Sequence, residues 1–403
     1  MSSAEVKLAD LCEVITKGTT PSNIGAEFTT NGIKYIRSEM LTSAKYIAED
    51  GFLYISEDTH TKLRRSQLKS GDILFSMAGV YLGKTAILRD CDVPANTNQA
   101  VALIRANPEK CNREYVYYFL NLPEVIKSVN SITGQAAQPN INLKQIGNIP
   151  ILLPLQEKQD SIVAILSAYD DLIENNQKQI KLLEEAAQRL YKEWFVDLRF
   201  PGHETTPIVD GVPEGWERMV LSEVTSVLKR GITPKYSNNG KYSVINQKCI
   251  RNSIMDISES RRQEKEYATT LNLQDSDTVI CSTGAGTLGR VGRVYGDYPN
   301  TTFDSHVTLI RAKENPNYIY HVIKSQQEYL MGMGRGSTNQ QELYRDVIEQ
   351  LVVLCPSQDI LLKAERVLGA IHCKIKKIYL QNNLLVESRD RLLPKLMSGE
   401  LEV

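Results

Sequence analysis

The longest regular pattern of apolar and polar positions in the chain runs from Glu157 to Phe195 and contains no Gly or Pro. Apolar residues recur there at helical intervals, as Ile162, Leu166 and Ile173 illustrate. This spacing is typical of an α-helix that packs lengthwise on another helix. At 1.5 Å per residue the pattern predicts a helix of roughly 58 Å, several times the mean globular length. Such a helix indicates a spacer or an assembly element.

The same apolar stripe returns from Ser357 to Leu393, at a constant offset of 202 residues. Matching stripes predict that the two helices pack on each other, antiparallel if the chain folds back. Pairing within one chain would keep the protein monomeric, whereas pairing between chains would form a dimer. The predicted contact residues are Leu166, Tyr169, Ile173, Ile180, Leu183 and Leu190 in the first helix and Leu368, Ile371, Ile375, Ile378, Leu385 and Leu392 in the second.

Polar and ring residues modify this helical pattern. Asn176 and Asn382 lie within the stripes and could fix the register of the pair at some loss of stability. Pro394 predicts that the second helix ends or kinks near that residue. Both stripes are also wider than one pair of helices needs, which leaves room for a further helical partner.

The repeat extends into the segments before each helix. Three pairs of segments match in order: GTTP (Gly18–Pro21) with GITP (Gly231–Pro234), ILFSMAGVYLGK (Ile73–Lys84) with VICSTGAGTLGR (Val279–Arg290), and VALIRA (Val101–Ala106) with VTLIRA (Val307–Ala312). Each half therefore contains a module followed by a long helix. Short β-rich runs bounded by Gly, Pro, Asn and Asp predict strands at Ile73–Phe75, Val101–Ile104 and Val307–Ile310, and one helix is predicted around Arg113–Val129 and another around Tyr318–Met331.

These observations predict an α+β protein. Two repeated mixed α/β domains would be joined by two long helices that form an antiparallel coiled coil with pseudo-two-fold symmetry. The predicted boundaries are 1–155 for the first module, 156–196 for its helix, 197–212 for a Pro- and Gly-rich linker, 213–356 for the second module and 357–403 for the C-terminal helix.

Composition narrows the class of protein. The chain has 403 residues, of which 42% are apolar and 24% charged, as in soluble proteins of two or three domains. No apolar run has the length of a membrane span, and the N-terminus lacks the features of an export signal. The seven cysteines are scattered and never form CxxC, which predicts a cytoplasmic protein without disulfides or a zinc site. A net charge of −1 neither indicates nor excludes nucleic-acid binding.

The segment from Ala78 to Thr85 comes within one residue of the phosphate-loop pattern GxxxxGK[ST]. That motif needs a helix directly after it, but the residues that follow read as a short strand and a turn. The second copy has Arg290 and Val291 in place of Lys84 and Thr85, and its GxGxxG match is absent from the first copy. A Gly-rich hairpin with a cation near its tip fits both copies, and a nucleotidase remains an alternative.

No catalytic motif emerges from the sequence. The five histidines show no paired-ligand spacing, and no two prolines are adjacent, which excludes the Asn/Asp-Pro-Pro-aromatic tetrapeptide of amino-methyltransferases. We therefore predict a non-catalytic chain that binds no metal.

Basic and amide side chains recur in corresponding loops of the two modules. Such residues hold phosphates and read base edges in the major groove, although a solvated loop surface is the alternative for each one. The candidate DNA-binding residues are Lys17, Arg64, Arg65, Lys84, Asn98, Gln99 and Gln138 in the first module and Lys229, Arg230, Lys235, Arg261, Arg262, Arg290, Arg293 and Asn339 in the second.

The order and duplication of these segments resemble the specificity subunit of type I restriction–modification systems. The resemblance rests on the paired motifs above together with GQAAQPNIN before the first helix, VPEGWE in the linker and LLPKLMSGEL at the end. It implies a non-catalytic DNA reader in which each module is a target recognition domain for one half of a bipartite, asymmetric site. The helices would set the spacing between the half-sites.

The resemblance also implies partners. Two modification (methyltransferase) subunits would dock on the helices and supply S-adenosylmethionine chemistry. Two restriction subunits would add translocase and nuclease activity, with ATP and Mg²⁺ bound there and no cofactor in this chain. No membrane is expected among the partners. A coiled-coil adapter that holds two proteins without DNA is the alternative from another functional class.

Overall fold

Two units make up the chain in the computed structural model, which describes residues 4–42, 44–48, 51–132, 139–336 and 341–403. The first unit comprises Met1–Asn175 and Asn382–Val403, and the second comprises Asn176–Gln381. Each unit therefore contains one module and a segment of each long helix. The predicted repeat of a mixed α/β module followed by a long helix is confirmed.

The first module is built mainly from two four-stranded sheets. Its strands are Ala4–Lys7 (β1), Cys12–Lys17 (β2), Ile33–Ile36 (β3), Leu53–Ile55 (β4), Gln67–Leu68 (β5), Ile73–Ser76 (β6), Thr85–Ile87 (β7), Ala95–Thr97 (β8), Val101–Ala106 (β9) and Pro150–Leu153 (β10). One sheet has the order β2-β9-β6-β7 and the other β4-β3-β8-β5, while β1 pairs with β10. The pairing of β3 with β8 is parallel, and the other pairings in this module are antiparallel.

The helices of the first module precede the long helix. They are Glu57–Lys62 (α1), Arg113–Leu120 (α2), Pro123–Ile132 (α3) and Leu143–Gly147 (α4). The Asn112 side chain begins α2 by accepting hydrogen bonds from the backbone N–H groups of Glu114 and Tyr115. The helix predicted around Arg113–Val129 is divided in two, because Pro123 disfavours helical geometry at the residue before it and begins α3.

The second module repeats this plan. Its strands are Ile208–Val209 (β11), Val212–Pro213 (β12), Glu217–Val220 (β13), Thr225–Arg230 (β14), Tyr242–Ile245 (β15), Ile250–Arg251 (β16), Ile254–Met255 (β17), Arg261–Gln263 (β18), Thr278–Cys281 (β19), Val291–Arg293 (β20), Thr301–Phe303 (β21), Val307–Ala312 (β22) and Val352–Cys355 (β23). The order β14-β22-β19-β20 matches β2-β9-β6-β7, with β17 and β16 added at the edge. The smaller sheet has the order β18-β15-β21, again with one parallel pair.

The described residues of the second module include the α-helices Pro316–Ser325 (α6), Gln327–Gly332 (α7) and Arg345–Glu349 (α8). The helix predicted around Tyr318–Met331 is therefore two helices, α6 and α7. Between the modules, the first long helix spans Gln156–Tyr191 (α5) and closes with a π-helical turn at Lys192–Val196.

The second long helix spans Gln358–Ser398 (α9) and continues through Pro394. The sequence predicts an end or a kink near Pro394, and the helix ends at Ser398, about one turn beyond it. Leu393, Leu396 and Met397 are buried in the core of the first unit, so packing on both sides of Pro394 offsets the hydrogen bond that a proline cannot donate.

The two long helices pack together inside each unit. In the first unit Ile162 from the beginning of α5 shares a core with Leu396 from the end of α9. In the second unit Ile180, later in α5, shares a cluster with Ile375 and Ile378, earlier in α9. This pattern is antiparallel and lies within one chain. Six of the predicted contact residues are buried: Leu166, Ile173, Ile180, Leu368, Ile375 and Ile378. The other six are half-buried: Tyr169, Leu183, Leu190, Ile371, Leu385 and Leu392.

Among the residues that the structure describes, no helix combines the length and the apolar character needed to cross a membrane.

Candidate nucleic-acid interface

The GTTP and GITP segments are each fixed against the loop that follows the parallel strand of their module. A Cβ atom on Gly18 would lie 1.9 Å from the carbonyl oxygen of Thr97. A Cβ atom on Gly231 would lie 2.2 Å from the carbonyl oxygen of Asp304. Only glycine permits so close an approach of two backbones, which explains why both segments begin with it.

Side chains from three separate stretches meet at the GTTP segment of the first module. The Arg65 guanidinium donates a hydrogen bond to Thr19 Oγ1 at 3.3 Å, and Thr20 Oγ1 donates to Gln99 Oε1. The Tyr35 hydroxyl donates to the Thr19 carbonyl oxygen at 3.1 Å. The structure therefore collects Arg65 and Gln99, both exposed, beside one anchored segment.

The remaining candidates near this segment differ in their surroundings. Lys17 ends β2 one residue before Gly18, and Arg64 is exposed in the turn beside Arg65. The Asn98 side chain accepts a hydrogen bond from the backbone N–H of Ala100 at 3.1 Å. Asn98 is half-buried, and this hydrogen bond stabilises the loop in which it lies.

Lys84 closes the hairpin between β6 and β7 and is exposed. The chain continues from Lys84 directly into strand β7. Thr85, which would bind magnesium in a phosphate loop, is buried, and its hydroxyl accepts a hydrogen bond from Asn121 Nδ2 at 2.6 Å. The segment therefore lacks both the helix and the free hydroxyl that a phosphate-binding loop requires.

Exposed cations gather beside the GITP segment of the second module. Lys235 Nζ lies 3.0 Å from Glu264 Oε2, and the Arg262 guanidinium donates to Ser243 Oγ at 3.1 Å. The Arg261 guanidinium stacks on the Tyr236 ring at 3.6 Å from its centroid. Sequence reasoning did not select Tyr236, although an aromatic residue directly after the GITPK sequence was a usable signal, because aromatic and basic residues together favour nucleic-acid contact.

Two further arginines of the second module are engaged by protein atoms. Arg230 is half-buried, donates through Nε to the Ser305 carbonyl oxygen and forms an ion pair with Glu342. Arg290 donates to the carbonyl oxygens of Ile250 and Gly286, both at 3.0 Å. Lys229, by contrast, is exposed on β14.

Arg293 is not a surface cation, and its selection as a DNA-binding residue is wrong for this structure. Its side chain is 1% exposed and donates to the carbonyl oxygen of Pro316 at 3.3 Å and to Asn317 Oδ1 at 2.7 Å. The guanidinium also lies 5.2 Å from the centroid of the Tyr320 ring. The strand β20 turns the Arg293 side chain toward the core, where it cannot reach a phosphate.

Two other candidates, Gln138 and Asn339, lie outside the described residues. Two described residues that follow these positions, Pro139 and Glu342, contact the Gly-rich hairpins. The backbone N–H of Gly79 donates to the Pro139 carbonyl oxygen at 3.0 Å, and Thr283 forms a β-bridge with Glu342.

Among the described residues no group of three or more His, Cys, Asp and Glu side chains is arranged to hold a metal ion. The histidines with the most unusual surroundings, His321 and His372, are buried in the second unit.

Residues 2–185 and 213–360 match the family described as Type I restriction modification DNA specificity domain. The chain belongs to this family. The two matched segments cover the two modules, so each copy of the repeat carries the family pattern. The alternatives of a nucleotidase and of an adapter without DNA specificity are not supported.

Known specificity subunits extend over nearly the same length. The chain is 27% identical to the type I restriction enzyme MjaIX specificity subunit of Methanocaldococcus jannaschii, with 98% of this chain and 93% of that protein covered. It is 22% identical to the HindI specificity subunit of Haemophilus influenzae, with 84% and 88% covered. The crystal structure of a type I restriction–modification S subunit from M. genitalium shares the fold, with a TM-score of 0.54, 15% identity and coverage of 98% of this chain and 99% of that one.

Proposed function

We propose that this specificity subunit recognises a bipartite, asymmetric DNA target and that each module reads one half of it. The observation that carries the proposal is the repetition of one arrangement in both modules. In each, a glycine-anchored segment collects basic side chains from distant parts of the module: Arg65 beside Thr19, and the Lys265 ammonium donating to the Thr233 carbonyl oxygen at 3.1 Å. Arginine and lysine bind phosphates, while arginine and amide side chains read base edges.

The long helices suit a spacer between the two half-sites. Two readers on one face of a duplex must be about one helical turn apart, roughly 34–36 Å, or a multiple of it. A pair of packed helices can hold such a spacing, whereas a flexible linker would allow many.

We also propose that the chain itself is non-catalytic and carries no cofactor. Two modification subunits would bring S-adenosylmethionine, and two restriction subunits would bring ATP and Mg²⁺, in the cytoplasm where the DNA is found. Leu182 and Leu384 support one docking position per half, because they are equivalent in the repeat and both are 64% exposed. Exposed apolar side chains at matching helix positions favour contact with two copies of one partner.

Selection from a pool of random duplexes tests the proposed function. The purified chain together with its modification subunit should enrich two specified blocks separated by a fixed number of unspecified base pairs. The modification subunit alone is the control and should enrich neither block. Binding of all duplexes with equal affinity would refute the proposal.

A further inference from the structure

Val80 is the most exposed large apolar side chain among the residues that the structure describes. It is 89% exposed, and Leu155, the next in order, is 66% exposed. Scattered apolar residues on a surface are ordinary, but nearly complete exposure of a branched side chain at a loop tip gains nothing for the fold. A contact outside the chain would account for it.

The loop that presents Val80 is held firmly. Gly79 and Gly83 adopt left-handed backbone angles, with φ of +67° and +80°, which close the turn. The Ser76 N–H donates to the Lys84 carbonyl oxygen at 2.8 Å, and the Gly83 N–H donates to the Ser76 carbonyl oxygen at 3.0 Å. The neighbouring Leu82 is buried, so the tip is anchored on the module while Val80 points away from the core.

Two exposed polar side chains accompany Val80 at this hairpin. Ala78 forms a β-bridge with Asn140, whose side chain is exposed, and Lys84 is exposed at the end of the same hairpin. In the major groove an apolar side chain contacts the thymine 5-methyl group, an asparagine bonds adenine N6 and N7, and a lysine holds a phosphate. An apolar, an amide and a basic side chain are the residue types that recognise an A·T pair and its backbone.

We propose that Val80 contacts the 5-methyl group of a thymine in the half-site read by the first module. This inference rests on the proposed function and names a specificity-determining residue for it. The second module lacks the contact, because the residue equivalent to Val80 is Gly286 and the Arg290 guanidinium donates to its carbonyl oxygen. The inferred contact with a thymine methyl group is therefore confined to the first module and to the half-site that it reads.

Replacement of thymine by deoxyuridine removes the 5-methyl group and leaves the base-pairing edge unchanged. After the target has been selected, each thymine of the first half-site is replaced in turn, and the affinity of the chain with its modification subunit is measured. At one position the dissociation constant should rise about fourfold, the equivalent of one buried methyl group. With the Val80→Ala variant the thymine and deoxyuridine duplexes should bind almost equally.

Val209→Ala is the matched control, because Val209 is also an exposed valine and lies in the linker hairpin β11–β12. This variant should keep the fourfold preference for thymine. Both variants should retain the wild-type melting temperature. A first half-site without thymine, a wild-type protein indifferent to deoxyuridine, or a Val80→Ala variant that keeps the preference would each overturn the inference while leaving the two-block target intact. Absence of any selected target would instead refute the proposed function and the inference with it.

Discussion

The Nε2 atoms of His321 and His372 lie 2.9 Å apart, at the two repeat positions that Tyr118 and Asp170 occupy in the first unit. In the first unit the Tyr118 hydroxyl donates to Asp170 Oδ2 at 2.6 Å, and Arg389 also pairs with this carboxylate. Each repeat thus joins its module to a long helix at the same place. The first joint uses charged groups, and the second uses neutral imidazoles.

Because His321 and His372 are buried where the second module packs on α9, we expect acid to destabilise the second unit. Burial, with Arg293 nearby, lowers the pKa of His321 to about 3 and lowers that of His372 still further. Since both folded-state pKa values lie below the unfolded value near 6.5, the unfolded state binds more protons as the pH falls. The stabilisation is present above about pH 6.5 and decreases below it, by about 1.4 kcal/mol per histidine for each pH unit.

Urea unfolding at pH 7.5 and 5.5 measures this loss of stability. Both tryptophans of the chain, Trp194 and Trp216, lie in the second unit and report its unfolding by fluorescence. Among the described residues, the groups that face the histidines are Tyr191, Tyr295 and Tyr320, whose pKa values are raised by burial, and the basic side chains of Arg293 and Lys324. A variant with His321→Gln and His372→Gln should show a smaller difference between the two pH values. An equal difference would assign the acid sensitivity to other groups.

In the first unit, the ion pair between Asp170 and Arg389 leads us to expect a large loss of stability when Arg389 is replaced. Asp170 is buried and pairs with Arg389, so Arg389→Ala removes the ionic partner of a buried carboxylate and should destabilise the first unit by about 3–5 kcal/mol. Arg391→Ala is the control, because Arg391 forms an exposed pair with Glu387 one helical turn away and should change stability very little. Hydrogen exchange in the C-terminal part of α9 measures both. Equal protection in the two variants would contradict the assignment.

The two hairpin cations are expected to act differently on DNA. Lys84 is exposed, so Lys84→Ala should reduce the slope of log K against log salt concentration by about 0.9, the value for one phosphate contact. Arg290→Ala should change that slope less, since its guanidinium is committed to the carbonyl oxygens of Ile250 and Gly286. Filter binding over a range of salt concentrations tests both variants. Identical slopes for the two would refute this distinction.

The repeat and the pairing of the long helices could be predicted from the sequence, because both appear as periodic patterns of residues. The apolar stripes that include Leu166 and Leu368 can be recognised without knowing which residues pack against them. Both side chains are fully buried. Arg293 could not be placed in this way, because its partners Asn317 and Tyr320 come from another element. A strand residue faces either solvent or the core, and only the folded sheet decides which.

The rule that proline ends or interrupts a helix held at one position and failed at another, where tertiary packing opposed it. Pro123 does separate two helices, as the rule for proline predicts, although the pattern around Arg113–Val129 suggested one. Pro394 does not end its helix, because Leu393 and Leu396 hold both sides of it in a core. The candidate DNA surface was predictable as a set of recurring loops, but which cations remain available depended on contacts such as that of Arg230 with Glu342.

The most direct test of the account is a change in the length of the paired helices. Four residues are inserted in α5 between Asn175 and Asn176 and four in α9 between Gln381 and Asn382, the positions at which the chain passes from one unit to the other. The insertions add about 6 Å to each helix, close to two base pairs of duplex. Selection from random duplexes should then return the same two blocks with a spacer about two base pairs longer. An unchanged spacer in a folded variant would contradict the proposed role of the helices as the element that sets half-site spacing.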